Sequence, residues 1–477
     1  MIEAFKTKFE EYSTVLNKWS IPFEEETLWL LHGRSIFNNN WILFMSMRPN
    51  QAIEVLDTVL PILKKEAVSF KLIKNQQLNF QLNDGMVFQE EKDHNIAIDV
   101  AKALTIYTTS EEQAIRLVGI ISNCTGRFQG PDVPDAVKIG KILYASYCKV
   151  NPANSNFQMI LPSKGRIPFK IRSEEVTRIK SKSRIIGKYY IPYETIKSVQ
   201  KGIVYKAINI KKLSLTWCLI KIGREFTFDD TYNRDIQDRL LWQKNVLKDL
   251  EGHVPIGKVL DLISDKHSTT LVTEFLEGTP LGVKVEHLRA GKQWDVIDPE
   301  VKLNLLSYFL KIIRFLEIMH DRGYIHRDVT SSNFIVLKNE EIGGIDFELS
   351  YSLNKNQPDP PFLLGTYGYM SPQQSRLDQP TIYDDIYSLG ALLMQFITGR
   401  EPDSFLHEFK NEAMSKMEEI AKNKILSNLI QKCLKDEIEQ RPVSLEEIRS
   451  EINNYIGALS NNTMQGKLSL NSVTFQL

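Results

Sequence analysis

The sequence predicts an α+β multidomain protein, in which a small α/β domain precedes a strand-rich lobe and then a helical lobe. The chain has 477 residues, which is more than one hydrophobic core usually holds. Strand-like and helical patterns alternate over the first 150 residues. The pattern changes to short strands near residue 185 and to helices after Pro280. We therefore predict domains at 1–184, 185–278 and 279–456, followed by a C-terminal tail at 457–477.

The composition excludes several classes of protein. Hydrophobic residues make up 42% of the chain and charged residues 25%, as in soluble globular proteins. The 59 basic and 59 acidic residues cancel, so neither nucleic acid nor a membrane surface is expected as a partner. The four cysteines are far apart, and no uninterrupted apolar stretch is long enough to span a bilayer. These features predict a cytoplasmic protein.

Two strand-helix-strand units predict the N-terminal domain. In each unit the apolar residues of the middle segment recur at three and four positions, as on one face of a helix. The first unit is WILFMSM, QAIEVLDTVLPILKKEA and VSFKLI, and the second is ALTIYTT, SEEQAIRLVGIISNCTG and KILYASYCKV. The basic stretch KIRSEEVTRIKSKSR that follows is interpreted as a linker or a solvated face.

The strand-rich lobe is predicted from four short apolar runs and one helix. The strands are GIVYKAINI, LTWCLIKI, LDLIS and TTLVTEFL, and the helix runs from about Asp230 to Leu250. The tail after Ile456 is rich in Ser and Asn and then alternates in KLSLNSVTFQL. It is expected to form a terminal strand or a disordered end.

The segment YIHRDVTSSNFIVLKNEEIGGIDFELS, from Tyr324 to Ser350, places three polar side chains at spacings that suit phosphoryl transfer. That reaction requires a held nucleotide, a metal ion on its phosphates and an acceptor hydroxyl in line. Asp328 would accept the hydroxyl proton. Asn333 and Asp346 would coordinate Mg²⁺ through oxygen. Lys221, which ends the apolar strand CLIK, would reach the α and β phosphates of ATP.

These residues and three further motifs follow one another in the order and at the spacing found in protein kinases. The motifs are EFLEG from Glu274, GTYGYMSP from Gly365 and DDIYSLG from Asp384. With them the chain resembles the bilobal protein kinase fold from Lys188 to Ile456. The resemblance implies that the hinge residues Glu274 and Leu276 bind the nucleotide.

The same resemblance assigns three residues to structural roles. It implies that Asp385 holds the backbone of the catalytic loop from a central helix. It also implies that the motif SPQ ends the activation segment and that Arg441 is the partner of Gln373.

The chain departs from the kinase pattern in four places. The phosphate-covering loop SVQKGIVYKA keeps only Gly202 of the usual glycines. Gln243 stands where a glutamate would pair with Lys221, and an amide offers a hydrogen bond without a charge. Gln373 likewise replaces an acid, and Glu348 follows Asp-Phe where glycine is usual.

The motifs IHRDVTSSNFIV, GGIDFE and GTYGYMSPQQ together resemble the kinase domain of class III and class IV lanthipeptide synthetases. In that family an acid follows Asp-Phe, so Glu348 becomes a mark of the family. The resemblance implies an ATP-dependent Ser/Thr kinase that phosphorylates a ribosomal precursor peptide.

The N-terminal segment WILFMSMRPNQAIEVLDTVLPILKKEAVSFK resembles the start of the phosphoserine/phosphothreonine lyase domain of the same family. The resemblance implies that Lys71 is the base that takes the α proton. Phe44, however, occupies the place of the acid histidine, and a hydrocarbon ring cannot donate a proton. The arginine positions fall on or near Ala136 and Ala145, with Lys138 as a partial substitute. The predicted result is a lyase fold whose elimination activity is lost or severely weakened.

Several functions remain open at the level of sequence. The family's zinc cyclase domain is not recognised here, so separate lyase and cyclase proteins are expected partners unless phosphorylation is itself the output. The sparse glycine loop and Gln243 would also suit a pseudokinase or peptide-binding scaffold. A signalling Ser/Thr kinase and a bifunctional lyase/kinase are further alternatives.

Overall fold

The computed structural model describes residues 9–34, 39–84, 99–150, 157–160, 167–169, 185–199, 202–211, 215–363 and 365–473. These residues fall into two compact units. The first contains Thr7–Leu240 and Leu262–Val272, and the second contains Leu241–Asp261 and Thr273–Leu477. None of the helices in the described ranges is both long and apolar enough to cross a membrane. The stretch 170–184, interpreted above as a linker or solvated face, lies outside the described residues.

An eight-stranded antiparallel sheet organises the N-terminal part of the first unit. Its strands are β1 (Glu24–Glu25), β2 (Trp29–His32), β3 (Asn40–Met45), β4 (Ser69–Ile73), β5 (Leu104–Tyr107), β6 (Val137–Lys138), β7 (Leu143–Val150) and β8 (Phe157–Ile160). The order is β1-β2-β4-β5-β3-β7-β6, with β8 on β7. The helices are α1 (Ser13–Lys18), α2 (Ala52–Lys65), α3 (Gln76–Asp84) and α4 (Glu111–Cys124). Both predicted strand-helix-strand units are therefore confirmed.

Strand β3 is buried along its whole length, which explains its almost continuous apolar sequence. Successive side chains of a strand point to opposite faces of the sheet. Trp41, Leu43 and Met45 belong to the main core, with the buried face of α2. Ile42 and Phe44 belong to a smaller cluster with Tyr107 and Tyr144. Both faces of this strand are thus covered.

A second sheet of five strands follows in the chain. It contains β9 (Tyr190–Val199), β10 (Gly202–Asn209), β11 (Thr216–Arg224), β12 (Val259–Ser264) and β13 (Ser268–Glu274), in the order β12-β13-β11-β10-β9. Helix α5 (Ile236–Leu250) lies between β11 and β12 in the chain. The predicted start of this helix at Asp230 is wrong. The carboxylate of Asp230 accepts hydrogen bonds from the backbone N–H groups of Tyr232 and Arg234, so this stretch forms a turn instead.

Helices dominate the second unit. They are α6 (Leu281–Arg289), α7 (Pro299–Asp321), α8 (Pro372–Ser375), α9 (Ile382–Thr398), α10 (Pro402–Phe409), α11 (Ala413–Ala421), α12 (Lys424–Cys433) and α13 (Leu445–Val473). Five short strands accompany them: β14 (Gly278–Pro280), β15 (Tyr324–Ile325), β16 (Phe334–Leu337), β17 (Ile342–Gly344) and β18 (Tyr351–Ser352). Helix α9 is delimited on both sides. Thr381 and Asp384 form a capping box at its start, and Gly399 adopts a left-handed conformation after its end.

The expected terminal strand is not found in the described part of the C-terminal tail. Helix α13 continues without interruption from Leu445 to Val473, the last described residue. The alternation in KLSLNSV suits a strand, yet Leu, Lys and Ser also have reasonable helix propensities. The helix simply extends through Ile456, where the tail was predicted to begin.

Candidate active site

The catalytic loop is held by one buried carboxylate from α9. Asp385 accepts hydrogen bonds from the backbone N–H groups of His326 at 2.9 Å and Arg327 at 2.8 Å. The ring Nε2–H of His320 donates to it at 2.7 Å. Burial raises the pKa of Asp385, but the hydrogen bonds and charges of His320 and His326 together outweigh burial, and the pKa lies below its ordinary value. The implied role of Asp385 in holding this loop is confirmed.

The structure brings Asp328 and Asn333 together. The amide nitrogen of Asn333 donates to the Asp328 carboxylate at 2.7 Å and to the Asp328 carbonyl oxygen at 2.8 Å. Burial raises the pKa of Asp328, and Asp346 adds to the shift. A carboxylate of raised pKa binds a proton more readily, which suits the predicted role of Asp328 as base.

Thr366 completes this group, although its role was not predicted from the sequence. Its hydroxyl donates to Asp328 Oδ1 at 2.8 Å, and its backbone N–H donates to the same atom at 3.2 Å. The signal was present in the motif GTYGYMSP, where Thr366 follows Gly365. Both carboxylate oxygens of Asp328 therefore have donors that orient them.

Asp346 follows β17 and adopts a left-handed conformation with φ 63°. The backbone N–H of Ile345 donates to the carbonyl oxygen of Asn333 at 2.9 Å, which brings the two predicted metal-binding segments side by side. Because Asn333 uses its amide nitrogen on Asp328, its amide oxygen is the atom available to a cation. An amide oxygen and a carboxylate form a donor set that fits Mg²⁺.

The structure explains why Glu348 is tolerated after Asp-Phe. Among the described non-glycine residues with positive φ, Asp346 is present and Glu348 is absent, so the backbone at Glu348 does not require glycine. Phe347 is fully buried, with its ring 5.2 Å from that of His326. Glu348 is also buried, with 8% of its surface exposed.

The end of the activation segment has the predicted partner. Arg441 donates to the side-chain oxygen of Gln373 at 2.7 Å, and the Gln373 amide donates to the carbonyl oxygen of Asp436 at 2.7 Å. The next residue, Gln374, donates to the carbonyl oxygen of Arg327 at 2.9 Å. An amide at position 373 thus satisfies one donor and one acceptor, where a carboxylate would only accept.

In the N-terminal sheet, a row of directly opposed residues crosses five strands. In strand order from β4 to β6 it consists of Lys71, Thr105, Phe44, Tyr144 and Lys138. Directly opposed residues point to the same face of a sheet. Phe44, at the predicted place of the acid, is buried in this row.

The cationic groups near this row are paired with carboxylates or buried. Lys71 lies 2.6 Å from Asp99, and Lys138 lies 2.9 Å from Asp132. The ammonium group of Lys102 lies 4.4 Å from the ring centre of Phe44, and burial lowers the pKa of Lys102 to about 8. Lys102 was not predicted from the sequence.

The two alanines at the predicted arginine positions contribute no charge. Ala145 lies in the main hydrophobic core, on the other face of β7 from Tyr144, and Ala136 packs against the smaller cluster. The arrangement therefore offers two ion pairs and a hydrocarbon ring where a phosphate dianion would need unpaired arginines.

Two family models match different parts of the chain. The family model described as protein kinase domain matches residues 195–453, which is more than half of the chain. The chain belongs to the protein kinase family. A second model, described as the N-terminal domain of RamC, matches residues 13–157 and supports the link to lanthipeptide synthetases. A protein kinase domain in general implies the use of ATP and a divalent metal ion.

Ser/Thr kinases are among the similar proteins. Serine/threonine-protein kinase PknD of Protochlamydia amoebophila is 24% identical over 306 residues, covering 55% of this chain and 30% of that protein. Serine/threonine-protein kinase B of Synechocystis is 22% identical over 269 residues, covering 54% and 45%. Serine/threonine-protein kinase ATG1c of Arabidopsis thaliana is 29% identical over 178 residues, covering 36% and 22%. This chain spans less than half the length of each of these kinases.

The other predicted nucleotide-binding residues of the kinase domain lie in both units. Lys221 is in β11, opposite Val204 of β10, in the first unit. Gln243 is buried on α5 in the second unit, with Glu274 at the end of β13 and Leu276 two residues later. Their roles in nucleotide binding, including the pairing of Gln243 with Lys221, stay predictions.

The structure explains why position 202 is glycine without reference to nucleotide binding. It is the first residue of β10 and pairs with Gly223 of β11. A Cβ atom at Gly202 would overlap the carbonyl oxygen of Ile222 in the neighbouring strand. The glycine is therefore required for the close approach of the two strands.

Proposed function

We propose that this protein is an ATP-dependent Ser/Thr kinase that phosphorylates a ribosomally made precursor peptide, in the manner of lanthipeptide synthetases. The observation that carries the proposal is the arrangement around Asp328, in which Asn333 and Thr366 orient both carboxylate oxygens. Asp328 takes the proton of the acceptor Ser or Thr hydroxyl. Asn333 and Asp346 would hold Mg²⁺, which neutralises the charge on the transferred phosphate.

The choice of a precursor peptide as substrate rests on the N-terminal part of the chain. A model of the RamC N-terminal domain matches residues 13–157, beside a kinase domain at 195–453. Glu348 after Asp-Phe is consistent with the same branch of kinases. A signalling kinase that acts on other proteins would have no evident use for such an N-terminal domain.

We further propose that the N-terminal domain binds or positions the peptide without eliminating phosphate. Phe44 cannot donate a proton, and Lys71 forms an ion pair with Asp99 at 2.6 Å. The amine that would serve as the base is therefore held by a carboxylate. A separate lyase would then carry out the elimination.

The test uses the purified chain with ATP, Mg²⁺ and a Ser/Thr-rich peptide encoded beside its gene. Mass spectrometry should detect phosphorylated peptide. Asp328→Asn should slow transfer roughly a hundredfold or more, because the general base is lost. Asp321→Asn is the matched control, since this exposed aspartate ends α7 outside the site.

Three results would contradict the proposal, each in a different part. If no peptide encoded beside the gene is phosphorylated, the proposed substrate class is wrong. Bound nucleotide without transfer, together with biological activity unchanged in Asp328→Asn, would favour a scaffold. Conversion of a phosphoserine peptide to the dehydroalanine form would show that the N-terminal domain is still a lyase.

A further inference from the structure

The segment between β11 and α5 is bound by side chains of the N-terminal sheet domain. Arg48, three residues after β3, forms a two-pronged ion pair with Asp229, with nitrogen–oxygen distances of 2.7 Å and 2.6 Å. Both residues are buried, at 9% and 8% exposure. The two lie 181 positions apart in the chain but within the same compact unit. A planar guanidinium that meets a carboxylate in this way fixes both position and orientation.

Two further side chains of the N-terminal domain hold the same segment. The amide of Asn50 donates to the carbonyl oxygen of Asp230 at 3.0 Å and to the Asn233 side chain at 3.1 Å. The carboxylate of Asp84 accepts from the backbone N–H of Phe228 at 2.7 Å. The contact is therefore a set of directed polar bonds.

The bound segment has an unusual backbone. Phe226, Phe228 and Asn233 all have positive φ, at 58°, 53° and 62°. For residues other than glycine this conformation is strained, and it persists only where surrounding contacts impose it. The guanidinium of Arg48 also lies 5.1 Å from the ring centre of Phe226. The contacts with the N-terminal domain thus fall on a segment that would otherwise relax.

This segment leads directly into the first turn of α5. The carboxylate of Asp235 accepts from the backbone N–H groups of Phe226 and Gln237, both at 2.7 Å. The backbone N–H of Ile236, the first residue of α5, donates to the carbonyl oxygen of Thr227 at 2.9 Å. A movement of the segment must therefore move or fray the start of the helix.

The ion pair is better suited to fixing geometry than to adding stability. Burial raises the pKa of Asp229 even though Arg48 opposes the shift. Removing charges from water offsets most of the attraction between them, whereas losing one partner leaves the other charge buried and unpaired. Such pairs can serve to specify one arrangement.

We propose that Arg48 is a positioning residue for phosphoryl transfer. By holding Asp229, the N-terminal domain fixes the start of α5, the helix that carries Gln243, and so sets the rate of the kinase domain. This inference rests on the proposed kinase function. It gives the N-terminal domain a role in the kinase reaction that does not depend on lyase chemistry.

The experiment compares four full-length proteins: wild type, Arg48→Ala, the exchanged pair Arg48→Asp/Asp229→Arg, and Arg116→Ala. Arg116 is the matched control, because it pairs with Glu66 at 2.9 Å on an exposed face of the same domain. Transfer from radiolabelled ATP with Mg²⁺ to dephosphorylated casein gives kcat and the KM for ATP. Amide hydrogen exchange follows α5 directly, with α4 as the internal reference.

In Arg48→Ala we expect kcat to fall at least tenfold, with the KM for ATP changing less than threefold, because the ion pair contacts no predicted nucleotide-binding residue. Exchange should quicken at least tenfold in the first turns of α5 and stay unchanged in α4. The exchanged pair should recover part of both losses, and Arg116→Ala should match wild type.

Two outcomes would overturn the inference. One is an Arg48→Ala protein with kcat within twofold of wild type and unchanged exchange in α5. The other is equal loss of protection in α4 and α5, which would reduce Arg48 to a general stabilising residue. If wild type transfers no phosphate to casein or to any peptide, the proposed function fails instead, and the exchange data alone still decide whether Arg48 positions α5.

Discussion

Replacing Asp385 by asparagine tests how strongly α9 holds the catalytic loop. The carboxylate is fully buried and accepts three hydrogen bonds, from His320 and from the backbone N–H groups of His326 and Arg327. An asparagine keeps one accepting oxygen and gains an N–H₂ group. In its better orientation it still accepts from His320 and His326, while its N–H₂ group faces the N–H of Arg327.

The cost follows from these contacts. A hydrogen bond to a charged group contributes about 1.5–3 kcal/mol, and a buried N–H group without a partner costs about 1–3 kcal/mol. A neutral side chain is easier to bury than a carboxylate, which offsets part of the loss. Arg327 also has a left-handed backbone, with φ 65°, that the lost hydrogen bond helps to hold. We expect a net loss of about 2–4 kcal/mol.

If that loss appears in the activation barrier, kcat falls by about 30-fold to 1,000-fold. The assay is phosphoryl transfer from ATP under saturating conditions, with thermal unfolding of the same samples. Asp321→Asn, at the exposed end of α7, serves as the control and should retain full activity. An Asp385→Asn protein with kcat within threefold of wild type and an unchanged unfolding midpoint would refute the reasoning.

Two further predictions concern stability. Gly202→Ala should lower the unfolding midpoint, because its Cβ would overlap the Ile222 carbonyl oxygen. Gly119→Ala, which has open space around it in α4, should raise the free energy of unfolding by about 1 kcal/mol. Equal unfolding midpoints for the two variants would contradict this prediction. Lys102→Met should be more stable than wild type at pH 7 by at most about 3 kcal/mol, because folding lowers the pKa of Lys102 from 10.5 to about 8. The lost contact between the Lys102 ammonium group and the Phe44 ring reduces this gain in stability. The folded-state pKa lies below the unfolded value, so wild-type stability rises between about pH 8 and 10.5 and the difference should shrink there. Denaturant unfolding across this pH range checks it, and a constant difference would count against the burial of Lys102.

The positions of most helices and strands in the N-terminal domain could be predicted from the sequence. Apolar periodicity located both strand-helix-strand units, because a helix or strand must turn its apolar residues toward a core whatever the rest of the chain does. The five-residue spacing from Asp328 to Asn333 placed both residues in one candidate site, and the structure brings their side chains together. The prediction of a strand in the C-terminal tail was wrong, because short alternating runs suit a strand or a helix equally well.

The kinase order of the motifs, the elements around them and the hydrocarbon side chain at Phe44 could thus be read from the residues alone. Which distant groups meet became known from the folded chain: Thr366 with Asp328, Lys102 with Phe44, and Arg48 with Asp229 across 181 positions. The physical reason is that periodicity reports burial of a face, not the identity of the neighbour on it. Directed polar contacts depend on how the whole chain closes, and no local pattern encodes that closure.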